Sequence, residues 1–225
     1  IDLNKLSQTS HELPNARTYT DYRELIAKEG DKIDAVVVAT PDHNHAPATM
    51  LAINAGKHVY CEKPLTHTIY EARVVTEAAR KRGVKTQMGN QGAANAAERR
   101  QVDYIKSGIV GNIREVHVYT DRPTGVWPQG ILAPTDHPDI PANIKWNLWL
   151  GPAASRAYNP AYLPFKWRGF WDFGTGALGD MACHLMFSAH WALDLSNPTR
   201  IESFSDGKTV DTPPVWSIIK WDFPE

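Results

Sequence analysis

The chain has 225 residues, with 24 Lys plus Arg against 25 Asp plus Glu and a net charge of −1. That balance excludes a general electrostatic attraction to nucleic acid or to an anionic membrane surface. No run of about 18 apolar residues occurs, so no membrane span is expected.

The hydrophobic share of 42% is ample for a packed core, and the length permits one large domain or two small ones. Cys61 and Cys183 are too few for a disulfide framework and are expected to be reduced thiols. The densest basic run, Arg80-Lys81-Arg82, is expected to end a helix, where cations suit the negative end of the dipole.

In chain order, Thr20 to Glu29 reads as a short helix stopped by Gly30. The apolar centre of Asp34-Ala-Val-Val-Val-Ala-Thr40 predicts a parallel strand covered on both faces. Pro47 to Ala55 reads as a helix ending at Gly56, and Lys57 to Cys61 as the next strand. Thr68 and Glu71 form a capping box for a helix reaching Arg82, with Gly83 as its C-terminal stop. Val84 to Met88 is expected as a further short strand. This alternation of strand and helix predicts a doubly wound α/β sheet.

After a helix near Ala94 to Ser107 the pattern changes. Ile113 to Thr120 alternates with period two, as a one-sided antiparallel strand does. Arg122 to about Thr175 is rich in Pro, Gly and Trp, and such long stretches are usually lids or binding loops. A second domain is therefore expected to begin between Gly89 and Gly111. Val215 to Phe223 alternates like a sheet strand whose partners would have to come from elsewhere, so both ends of the chain read as cut.

Three segments could carry chemistry. Ala39-Thr-Pro-Asp-His-Asn-His45 follows a buried strand, where open parallel sheets bind ligands; a tight turn built on Pro41 and Asp42 is the plainer reading. Cys61-Glu-Lys-Pro64 also lies at a strand's carboxyl end. Lys63 could donate to a ribose or substrate hydroxyl, with Pro64 holding it extended; otherwise it is a surface lysine. Gly174-Thr-Gly-Ala-Leu-Gly-Asp-Met-Ala-Cys-His184 leads glycines into an apolar helix. Asp180 and His184 share a face there and could act as an oriented base. They could equally be a plain helix contact, or two metal ligands with His190 or His137 as a third.

Trp146, Trp149, Tyr158, Tyr162, Trp167, Phe170 and Trp171 crowd the second half. Core packing is their default, although aromatic rings also make platforms for sugars. Lys166, Trp167 and Arg168 are substrate-side candidates.

Together, Ala39-Thr-Pro-Asp-His-Asn-His45, Glu62-Lys63-Pro64, and Gly179-Asp180 with His184 resemble the Gfo/Idh/MocA oxidoreductases in order and spacing. The stretch from Gly176 to His184 is similar to a branch of dehydrogenases often exported in bacteria. The resemblance implies an α/β fold. A Rossmann-type parallel sheet over residues 1–91, lacking its N-terminal part, would precede an α+β domain over 92–225. That second domain would have an open, mainly antiparallel sheet lacking its C-terminal part.

It further implies NAD or NADP as cofactor, with Thr40, Pro41, His45, Glu62, Lys63, Asn90 and Gln91 at the cofactor. Lys63, Asp180 and His184 match the family's catalytic trio, without a metal. His184 would take the hydroxyl proton, Lys63 would polarise the same oxygen, and Asp180 would steady the histidine. The family's G-x-G-x-x-G fingerprint would fall before Ile1, and Asp2 sits near the place of its ribose-binding acid.

The expected activity is oxidation of a secondary hydroxyl of a sugar, polyol or glycoside, by a homo-oligomer in the cytoplasm or exported to the periplasm. The alternatives are a redox-neutral, NAD-dependent glycoside-cleaving enzyme and a non-catalytic NAD(P)-binding protein.

Overall fold

The computed structural model describes residues 1–122 and 125–224. Its elements begin with α1 (Leu3–Glu12), α2 (Tyr22–Glu29), β1 (Ala35–Val38), α3 (His45–Asn54), β2 (His58–Glu62), α4 (Ile69–Arg82) and β3 (Thr86–Gly89). They continue with α5 (Ala96–Lys106), α6 (Trp146–Leu150), α7 (Gly176–Leu185), α8 (Phe187–Leu193), β4 (Arg200–Asp206) and β5 (Trp216–Asp222). The chain forms two compact units. One comprises Ile1–Gly89 with Pro134–Trp167, the other Asn90–Ala133 with Arg168–Glu225. Residues 134–167 thus return to the first unit, although they follow the expected start of the second domain.

In the first unit the three strands pair in parallel in the order β1-β2-β3. Two right-handed crossovers stepping in one direction bring both connecting helices back on one face of a sheet. Accordingly, Val38, Val59 and Cys61 pack with Ala52 and Ile53 of α3 and with Val75 and Ala79 of α4. Val37 points the other way and is 69% exposed, so β1 is covered on one face rather than the two its apolar run suggested.

The helix signals act as their chemistry requires. Thr68 Oγ1 accepts from the Glu71 amide (3.2 Å), and the Glu71 carboxylate accepts from the Thr68 amide (2.8 Å). Gly83 then closes α4 at φ 69°, a left-handed conformation that costs glycine little. Asp21 caps α2, accepting from the Arg23 amide at 2.8 Å. α3 starts two residues earlier than expected because Pro47 fits its first turn, where no amide hydrogen is needed.

α1 had no sequence expectation. Asp2 is its N-cap, accepting from the Asn4 amide (3.1 Å) and from Asn143 Nδ2 (3.0 Å), so its carboxylate serves a helix end and the turn at Asn143.

Residues 134–167 supply a second core to the first unit. Trp146 and Trp149 stack at 4.9 Å, and Tyr158 meets Trp146 edge-on at 5.4 Å. Trp146, Trp149, Tyr158 and Tyr162 are all buried. Trp146 Nε1 donates to the Arg156 carbonyl at 2.8 Å, which satisfies the polar end of a buried indole. Asn44 Nδ2 donates to the Trp149 carbonyl at 2.9 Å and ties α6 to the turn after β1. Gly151, at φ 53°, ends α6 where an added Cβ would lie 2.2 Å from Asn44 Oδ1; only glycine permits that approach. The expected lid or binding loop is therefore largely core over this stretch.

In the second unit, α5 packs on α8 and is capped by Asn95, which accepts from the Ala97 amide at 2.8 Å. The apolar helix expected after Gly174 is α7, which carries Asp180 and His184, and α8 follows it after Met186. Gln129 Oε1 accepts from the Ala177 amide at 2.7 Å, capping α7 from a distant loop.

β4 and β5 pair antiparallel, so the strand at 215–223 finds its partner within the chain, contrary to the expectation. Residues 113–120 do not form the expected strand. Period-two alternation supplies a strand face but no ladder, and Val116, Val118 and Tyr119 stay exposed.

Candidate functional site

Because β1, β2 and β3 are parallel and in register, their carboxyl ends open onto one edge of the sheet. In such sheets that edge is where ligands bind. Two of the three segments singled out in the sequence arrive there, Thr40-Pro41 after β1 and Glu62-Lys63-Pro64 at the end of β2, and Gly89 at the end of β3 joins them.

Thr40 is partly buried, and its hydroxyl oxygen is fully buried with no hydrogen-bond partner among the described residues. A buried unpaired hydroxyl is costly and marks a place where a polar group is wanted. Pro41 precedes a short 3-10 turn, Asp42–Asn44, and its carbonyl accepts from the Asn44 amide at 2.9 Å.

Glu62 pairs across the sheet with Gly89, and its side chain lies over that glycine. A Cβ built on Gly89 would sit 2.6 Å from Glu62 Oε2 and 3.0 Å from Glu62 Cα. The bare glycine is what lets the carboxylate occupy the strand end. The sequence reading did not foresee this role. The available signal was the pairing of an acidic residue and a glycine at equivalent strand ends.

The Lys63-Pro64 peptide is cis. His45 is 1% exposed, with Nδ1 2.7 Å from the Pro64 carbonyl and Nε2 2.8 Å from the Thr40 carbonyl. Both ring nitrogens face backbone carbonyls, so the side chain presents no polar atom to a ligand. Burial pushes its pKa below the ordinary histidine value, against the two carbonyls that favour the charged ring. A folded-state value below the unfolded one means that this group's contribution to stability is fully present above the ordinary histidine range and is lost as pH falls from there toward the lowered value.

Cys61, buried one residue before Glu62, has its thiol pushed up to about 11 by burial. It is an inert core residue at neutral pH. Neither Cys61 nor Cys183 is in a disulfide.

Asn90 and Gln91 follow β3 in the chain and belong to the second unit. Asn90 precedes the 3-10 turn Gln91–Ala94, its carbonyl accepting from the Ala93 amide at 3.0 Å, and Gln91 is exposed. In that unit Asp180 lies on α7 with 3% exposure, and Arg168 Nε approaches its Oδ1 at 3.4 Å. Asp180 is therefore engaged by a guanidinium, and Arg168, a substrate-side candidate, holds a buried carboxylate. His184 follows one turn later on the same face, partly buried.

The glycines before α7 serve packing. A Cβ on Gly174 would lie 2.6 Å from the Arg168 backbone, and one on Gly179 would lie 2.4 Å from Thr175 Cβ. Lys166 is exposed, whereas Trp167 is 6% exposed and its amide donates to the Tyr162 carbonyl at 2.8 Å. Trp167 is thus a packing residue of the first unit rather than an open platform.

The structure brings Thr40, Pro41, His45, Glu62 and Lys63 together in the first unit, and Arg168, Asp180 and His184 in the second. Among the described residues no three His, Cys, Asp or Glu side chains gather as metal ligands would. Among the same residues no helix is long and apolar enough to cross a membrane.

Residues 3–90 match an oxidoreductase family, NAD-binding Rossmann fold, and residues 102–225 match the C-terminal alpha/beta domain of the same oxidoreductase family. The chain belongs to the Gfo/Idh/MocA oxidoreductase family.

Among its Gfo/Idh/MocA relatives, 1,5-anhydro-D-fructose reductase of Ensifer adhaerens is 41% identical over 96 residues, covering 42% of this chain and 28% of that one. Levoglucosan dehydrogenase of Pseudarthrobacter phenanthrenivorans is 26% identical over 172 residues, covering 76% of this chain and 35% of that one. The solved inositol dehydrogenase homolog from Azotobacter vinelandii, complexed with NADH and myo-inositol, is 25% identical with a TM-score of 0.62, covering 92% of this chain and 46% of that one. The chain thus spans between about a quarter and a half of the length of these relatives. The α/β fold, a parallel sheet of Rossmann type followed by a small antiparallel one, agrees with the family.

Proposed function

We propose that this chain is part of an NAD(P)-dependent oxidoreductase acting on a secondary hydroxyl of a sugar, polyol or glycoside. The observation that carries the reading is the shared carboxyl edge of β1, β2 and β3, where the unpaired Thr40 hydroxyl, the Glu62 carboxylate over Gly89, and Lys63 are gathered. These residues fit a dinucleotide: hydroxyl and carboxylate acceptors suit ribose and amide groups, and Thr40, Pro41, Glu62 and Lys63 would hold it. When bound, that cofactor supplies the hydride acceptor.

The chain's own groups handle the proton. Lys63 donates to the substrate hydroxyl oxygen and lowers the cost of its developing negative charge. By the roles the family resemblance assigns, His184 accepts the hydroxyl proton, and Asp180 steadies the imidazole. Arg168, paired with Asp180, holds that carboxylate in place. The names of the relatives, a sugar-derivative reductase, a dehydrogenase of an anhydrosugar and an inositol dehydrogenase homolog, support a polyhydroxylated substrate. Trp146, Trp149, Tyr158 and Tyr162 are buried and offer no platform to a sugar ring, whereas Trp171 is 44% exposed.

The test is nucleotide content and turnover of the full-length protein. Denatured supernatant is assayed for NAD and NADP, the folded protein is titrated with each, and reduced cofactor is followed with a panel of sugars and polyols. Binding with net reduction of cofactor is expected; binding without turnover on any polyol would favour the non-catalytic alternative. Gly89→Ala is expected to weaken nucleotide binding about tenfold, equivalent to about 1.4 kcal/mol, because the new methyl displaces the Glu62 carboxylate. Isothermal titration checks this. Unchanged affinity would remove Glu62 from the cofactor contacts.

A further inference from the structure

His45 opens α3, is 1% exposed and lies between two turns rather than in front of them. Its Nδ1 is 2.7 Å from the Pro64 carbonyl and its Nε2 2.8 Å from the Thr40 carbonyl. Those carbonyls belong to the turns that leave β2 and β1. A carbonyl oxygen only accepts, so both contacts are hydrogen bonds only when both ring nitrogens carry protons. The neutral ring has one N–H, holds one turn, and sets a lone pair against the other. Burial opposes the ring's charge most strongly; the two carbonyls and Glu62 favour it, and Lys63 opposes it.

We propose that His45 is a positioning residue for Lys63: its buried ring fills the space between the Thr40 and Pro64 carbonyls, donating to one of them when neutral and to both when charged, and so sets where Lys63 stands at the strand ends. The family resemblance puts this histidine among the cofactor contacts. Its burial and its two carbonyl partners make it instead a clamp behind the pocket. The inference rests on the working role given to Lys63 above.

The experiment is a double-mutant cycle in the full-length protein, with His45→Gln, Lys63→Ala and the pair, each followed as kcat, KM and a pH profile. Glutamine keeps a donor for one carbonyl and cannot titrate. His45→Gln is expected to lower kcat about tenfold, the size of a small misplacement of a working group, with little change in substrate KM. It should also lose a titration seen in the wild-type profile. In the Lys63→Ala background it should cost nothing further, since residues acting as a unit are not additive. An equal loss in both backgrounds, or wild-type kcat and profile in His45→Gln, overturns the proposal.

If His45→Gln does not fold, nuclear magnetic resonance of the wild-type protein decides. The Lys63 amide signal should move with the His45 ring titration; a Lys63 signal indifferent to it overturns the clamp. Full activity in Lys63→Ala alone would sink the functional reading and leave the clamp to be judged by that same spectrum.

Discussion

Lys63→Ala is expected to cut turnover of the full-length enzyme by about 10²- to 10⁴-fold, the range for removing a group that assists proton movement at the reacting oxygen. Thermal unfolding should stay close to wild type. Lys63 follows directly on β2, whose end is fixed by pairing with β3 and by the Glu62 carboxylate resting on Gly89. The strand therefore stands whether or not the ammonium is present. Lys63→Arg should not restore activity, because a planar, permanently charged fork cannot replace a compact ammonium that donates at one point. Steady-state kinetics beside a melting curve check both. A Lys63→Ala enzyme with wild-type kcat would show that Lys63 is a surface lysine and would end the mechanism.

The second large effect is on stability. Trp146→Ala is expected to destabilise the protein by about 3–5 kcal/mol, as removal of a fully packed large aromatic does. Trp146 is 4% exposed, stacks on Trp149 at 4.9 Å and on Tyr162 at 6.2 Å, and meets Tyr158 edge-on at 5.4 Å. Its indole nitrogen also satisfies the Arg156 carbonyl, which truncation would leave without that donor. Denaturant titration measures the change. A variant of wild-type stability with an altered substrate KM would mean that the ring serves the substrate and not the core. Trp171, at 44% exposure, makes the contrast: Trp171→Ala should leave stability within about 1 kcal/mol.

Some of this was legible in the residues. Capping chemistry is local, so Thr68, Glu71 and Gly83 announced α4 and its limits, and the structure realises each bond. The Val-rich run before Thr40 and the turn at Glu62-Lys63-Pro64 announced strand ends, because backbone pairing and proline act within a few residues.

Other readings failed for a stated reason. Residues 113–120 have the alternation of a strand, but a strand exists only when another chain segment offers its amides and carbonyls. Val37 looked buried because hydrophobicity reports a preference for cover and not the presence of it. The Trp-rich stretch looked like a loop because no local period reveals rings that stack on one another.

At the candidate site the division is the same. Residue types and order determined the family, the parallel sheet and the identity of Lys63, Asp180 and His184 as candidates. Only the tertiary structure decided that His45 is enclosed between two carbonyls, that Glu62 rests on Gly89, and that Asp180 is held by Arg168. Each of these contacts joins residues 5 to 27 positions apart. Their distances follow from strand register and helix packing, which the sequence specifies only through the whole fold.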